Sequence, residues 1–166
     1  MEFKFYKPEW LEILRAQEKI LRPEHLTAED CLQLGLIMNR LAKEVYKRPA
    51  AFRVITGGQT TFSYLMAGTS TNNEWWMDKK LSTCRMTGVS SILTLVEVAE
   101  GLRPMEPEFE NENDFALCGG CFPLRNADGK LLGYALCSGL AHECDHQLIA
   151  DALAELLGRE IPRIVD

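Results

Sequence analysis

Two short stretches hold residue types that do chemistry. "CGGC", Cys118 to Cys121, sets two thiols three residues apart around a glycine pair, and "HECDH", His142 to His146, has the HExxH spacing of zinc proteases. In that motif histidines at i and i+4 share a helix face and bind zinc, while the Glu acts on the metal-bound water. The surroundings argue against a protease. Ile149 and Ala152 stand where the extended motif has its Gly and third His, and little chain remains for a downstream ligand. For the thiol pair, a structural zinc site wants four ligands, and there is no second CxxC, so His142, Cys144 or His146 would have to complete it. A thioredoxin-like couple opens a helix after a strand, whereas 121–125 reads as the start of a strand. The remaining reading is two reduced thiols. A divalent metal held by Cys118, Cys121 and His146 is one expectation to test.

Gly119 and Gly120 either let another group approach the backbone closely or simply bend the chain into the strand. Trp75, Trp76, Lys80 and Arg85 lie along one helical stretch. The two cations beside aromatics suit an anionic group, while the tryptophans equally suit a core or subunit interface. No nucleophile elbow, P-loop or dinucleotide fingerprint is present, so no catalytic residue is assigned.

The elements that must position these residues follow from hydrophobic periodicity. Pro8, Trp10, Leu11, Leu14 and Leu21 mark a peripheral N-terminal helix within residues 1–25, ahead of a single domain over 26–166. Thr27 and Asp30 resemble a capping box, and Cys31, Leu34, Met38, Leu41 and Val45 continue the helix they start, with Pro49 ending it. AFRVIT and TTFSYLMA alternate as strands around Gly57-Gly58, a two-residue hairpin turn. A helix through Trp75 to Arg85 follows, broken at Gly88 before a second apolar segment. Residues 102–114 read as an acidic, solvated loop. A second hairpin turns at Asp128-Gly129, and a last helix repeats His142, His146, Ile149, Leu153 and Leu156 on the face that packs on the sheet. The fold class is α+β: a mostly antiparallel sheet of two hairpins with flanking helices.

Composition narrows the function classes. In 166 residues, 46% are apolar and 25% charged, as in an ordinary globular domain. The net charge of -6 is spread along the chain and forms no basic face, which excludes a nucleic-acid partner. No stretch approaches the roughly 20 apolar residues of a spanning helix, and the N-terminus has no signal-type apolar segment, so no membrane partner is expected. The six cysteines are expected reduced in a cytoplasmic protein.

Taken in order, "GGQTTF", "AGTSTNNEWWMDKK", "GVSS", "CGGCFPLR", "LCSGL" and "DHQLIADAL" resemble the GlcG/HbpS-like, haem-degrading-domain-like family over residues 27–158. The resemblance is to a conserved subgroup with no settled activity. It implies a profilin-like α+β arrangement, homo-oligomers, and a pocket for a small anionic ligand or a tetrapyrrole such as haem. The residues it implies for that pocket are Trp76, Lys80, Arg85, Gly119, Gly120, Asp145 and His146. Cys118 stands where the subgroup usually has a histidine. Both residue types serve as haem axial ligands, so the exchange preserves a ligand role, with Cys118 and His146 expected to form the polar end of one pocket.

Overall fold

The structure, a computed structural model, describes residues 2–166. Turn chemistry sets its strand pairing. Gly57 and Gly58 take φ of 59° and 79°, the positive values that let a two-residue turn follow strand twist. They join β1 (Ala51–Thr56) to β2 (Gln59–Leu65). In the second hairpin the Asn126 side chain accepts the Asp128 and Lys130 amides, each at 3.0 Å, and Gly129 has φ of 86°. That turn joins β3 (Cys121–Arg125) to β4 (Leu131–Ser138). β1 also pairs with β4, giving one antiparallel four-stranded sheet of order β2-β1-β4-β3. Pro123, which lacks an amide donor, sits on the edge strand β3, where that lack is tolerated.

Strand alternation then sorts the side chains into two layers. Phe52, Val54, Phe122, Leu124, Ala135 and Cys137 bury against α2 (Ala28–Leu41) and α5 (His142–Leu157). Ala51, Ile55, Cys121, Tyr134 and Leu136 face the opposite way, onto Met77, Leu81 and Cys84 of α3 (Thr71–Thr87). The α+β fold and the element order are as the periodicity predicts.

The helices start and stop where local chemistry directs. Thr27 and Asp30 form the expected reciprocal box, at 3.1 and 2.8 Å; such a cap contributes about 1 kcal/mol. After α2 a π-helical turn (Ala42–Tyr46) ends in left-handed Lys47, two residues before Pro49. Ser70 and Asn73 form a second box on α3, which stops at Gly88, and Ser90 caps α4 (Ser91–Ala99).

α1 (Trp10–Ile20) packs Trp10 and Leu14 against Ile92, Leu93 and Val96 of α4 and against Ile164 near the C-terminus. The acidic loop is less solvated than expected. Its charged residues Glu110 and Glu112 are exposed, but a 3-10 turn (Pro107–Glu110) inserts Phe109 among Leu95, Val98 and Leu117. Among the described residues no helix is long and apolar enough to cross a membrane.

Candidate functional site

The "CGGC" segment runs against the first turn of α5, and its glycines are there because nothing larger fits. A Cβ on Gly119 would collide with the His142 carbonyl, and one on Gly120 with the Cys137 carbonyl and the Lys80 ammonium. Gly120 also has φ of 129°, a conformation L side chains rarely adopt. This close approach seats Lys80 between elements. Its Nζ donates to the Cys137 carbonyl and to Asp145 Oδ2, both at 2.9 Å, with the two side chains 3% and 4% exposed. Asp145 Oδ1 accepts the Leu140 amide at 2.9 Å. Against the lowering effect of burial, the Asp145 carboxylate holds Lys80 above the ordinary lysine value. Burial pushes Asp145 up against the pull of Lys80. The pair therefore ties α3, β4 and α5 together.

Two cavities flank this junction. One, of about 310 Å³, is lined by Lys4, Trp76, Lys80, Cys118, His142 and Asp145, among others. The other, of about 390 Å³, has Trp75, Trp76, Lys79, Phe109 and Phe115 in its walls. Lys4, Trp76 and Cys118 belong to both. Cys118 is 3% exposed; burial pushes its thiol up while Lys80 pulls it down.

His142 links the site to the N-terminal segment. Its Nδ1 accepts the Gly119 amide at 3.0 Å, so the ring proton sits on Nε2, which donates to the Phe5 carbonyl at 2.7 Å. Burial lowers its pKa, keeping the ring neutral near pH 7.

The structure separates several residues expected to act together. His146 lies beneath the cavities, fully buried, its ring packed against Phe122 at 5.8 Å between centroids. Its Nε2 donates to Gln17 Oε1 at 2.7 Å, and its Nδ1 is buried with no partner. Burial pushes its pKa down to about 3. Cys118 therefore shares a cavity with His142, not with His146. Cys121 points to the opposite sheet face, beside the Cys84 thiol, because adjacent strand residues Cys121 and Phe122 must diverge. The expected metal set of Cys118, Cys121 and His146 is thus not assembled. No group of three or more His, Cys, Asp or Glu among the described residues is placed to hold a metal ion. Arg85 is exposed, with its guanidinium 5.6 Å from the Tyr134 ring, away from Lys80. Five residues along a helix turn the side chain to another face.

Two residues were not singled out from sequence. Gln17 donates from Nε2 to the Pro162 carbonyl at 2.8 Å and to Gln147 Oε1 at 3.3 Å, while Gln147 Oε1 also accepts the Ile164 amide at 2.9 Å. Its signal was a polar residue on the buried stripe of Trp10 and Leu14. Lys79 lies over the Trp75 and Trp76 rings, at 3.9 and 3.7 Å from their centroids. Its signal was an aromatic pair three and four residues earlier on one helix.

The comparisons agree with this architecture. The profile of the family described as haem degrading protein HbpS-like matches residues 26–154. A UPF0303 protein of Psychromonas ingrahamii is 31% identical over 152 residues, 89% of this chain and 92% of its own. The crystal structure of Ybr137w protein superposes with a TM-score of 0.78 at 23% identity, covering 91% of this chain and 90% of that one. The crystal structure of a PduOC:haem complex superposes at 0.64 and 20% identity, covering 78% and 93%. A profile match over residues 26–154, most of the chain, means that the chain belongs to the HbpS-like family.

Proposed function

We propose that the protein binds a tetrapyrrole or another small anionic ligand in its two adjoining cavities, as a cytoplasmic homo-oligomer. The observation that supports this is Cys118, a thiol common to both cavities, flanked by Trp76 and Lys4. A cysteine thiolate is a competent axial ligand for haem iron. Burial raises the Cys118 thiol above its ordinary value, and the Lys80 charge opposes that rise in the direction of the thiolate that coordination requires. His142 is the other donor in reach, but both its nitrogens are engaged, so it would ligate only by releasing Phe5. The structural neighbour with bound haem is in keeping with this reading. Leu32 and Leu36, exposed one turn apart on α2, and the open edge of β2 support self-association.

The test is titration of the purified chain with haem. A saturable Soret shift that is altered in Cys118→Ala and unchanged in His146→Gln supports the proposal. No shift, or one indifferent to Cys118, overturns the ligand role.

A further inference from the structure

Lys79 is a covered ammonium with no oxygen to answer it. The residues on either side in sequence are matched, Asp78 with Arg53 and Lys80 with Asp145. Lys79 is 4% exposed, yet among the described residues its Nζ has no ion pair and no hydrogen-bond acceptor within the protein. Its contacts are the faces of Trp75 and Trp76.

The cover is thin: two indole rings at a cavity wall, not the depth of the core. Burial lowers the amine below the ordinary lysine value, with Cys118 and Glu112 pulling it back up. The indole faces also favour the protonated form, since a ring quadrupole attracts a cation. The group is therefore a largely covered charge, in direct contact with two indole faces and without a hydrogen-bonded carboxylate. A cation held by rings alone lacks the charge-assisted hydrogen bonds that an anion would supply.

The same cavity states what kind of anion. Besides Trp75 and Trp76, its walls include Phe109, Phe115 and Leu117, which suit a flat apolar body. Its volume of about 390 Å³ lies within the range of small-molecule sites. Glu2 and Glu112 line the exposed side, where a ligand's negative end is repelled.

We propose that Lys79 is the anion receptor of this cavity, and that the ligand is an aromatic carboxylic acid whose carboxylate draws the ammonium off the two indoles. The inference rests on the ligand-binding reading above and narrows it. Lys80, the residue expected in this role from sequence, is committed to Asp145 and the Cys137 carbonyl.

The experiment uses 2-naphthoate and its neutral twin 2-naphthamide on the full chain, read by calorimetry and tryptophan emission. The wild type is expected to bind the acid at least tenfold more tightly than the amide, with a change in emission as Lys79 leaves the rings. Lys79→Met abolishes the preference, and Lys79→Arg retains it. Equal affinities for acid and amide, a preference surviving in Lys79→Met, or no binding of naphthoate overturns the proposal. Haem titration separates the two readings. Haem binding indifferent to Lys79→Met counts against Lys79 alone, whereas naphthoate selectivity without haem binding supports Lys79 and removes the tetrapyrrole.

Discussion

His146 Nε2 lies 2.7 Å from Gln17 Oε1, a hydrogen bond inside the protein between residues 129 positions apart. The imidazole that the family resemblance assigns to a ligand pocket fastens the N-terminal helix to α5. Gln17→Ala strands the His146 donor and the Pro162 carbonyl at once. Each buried group left unsatisfied costs ~1–3 kcal/mol. The expected result is a lower denaturation midpoint with haem or naphthoate affinity unaltered, measured by urea unfolding followed by circular dichroism.

Stability against pH should carry two opposing contributions. The folded-state pKa of His146 is depressed to about 3 from 6.5. Its contribution is fully present above about 6.5 and is lost as pH falls toward about 3, because the unfolded chain binds the proton first. Glu18, partly buried and accepting from the Ser90 amide and hydroxyl, is raised to about 7 from 4.5, chiefly by loss of hydration. Its contribution is fully present below about 4.5 and is lost as pH rises through about 7. Between these limits the two slopes oppose each other. Glu18→Gln should therefore expose a steeper rise of stability with pH from about 4.5 to 6.5, bounded by ~1.4 kcal/mol per pH unit per proton. A midpoint-versus-pH profile matching the wild type would contradict it.

The Lys80–Asp145 pair predicts non-additive mutants. Lys80→Met alone leaves the Asp145 carboxylate buried without its counter-charge, a loss of ~3–5 kcal/mol. Lys80→Met with Asp145→Leu removes both charges and should recover most of that loss. A double-mutant cycle in denaturant measures the coupling directly.

The bond from His142 to Phe5 keeps residues 2–5 across the cavity mouths. Deleting residues 2–6 should speed alkylation of Cys118 several-fold, read by mass spectrometry of the labelled peptide. Unaltered labelling would mean that the thiol is shielded by other elements.

Much of the frame is legible in the residues themselves. Gly57, Gly58 and Gly129 specify their turns through positive φ, and Thr27 with Asp30 specifies a helix start, because each rests on contacts within four residues. The site is less legible because its contacts are long-range. Period-two geometry requires Cys121 and Phe122 to part, but which of them meets α5 depends on how the sheet is covered. Likewise the HExxH spacing correctly places His142 and His146 on one helix, yet a single turn separates the cavity wall from the sealed interior. Lys80 and Asp145, assigned to a ligand pocket by the resemblance, pair with each other at the junction, while Arg85 points elsewhere and Lys79, not foreseen, lines the larger of the two cavities.

Gln17, His146 and Gln147 meet the Pro162 carbonyl and the Ile164 amide in one buried hydrogen-bonded group. During synthesis this group is unfinished until residue 164 has cleared the ribosome tunnel, although the hairpins are complete earlier. Up to that moment α1 lacks its final anchors, and the growing chain should remain open to a protease near Gln17.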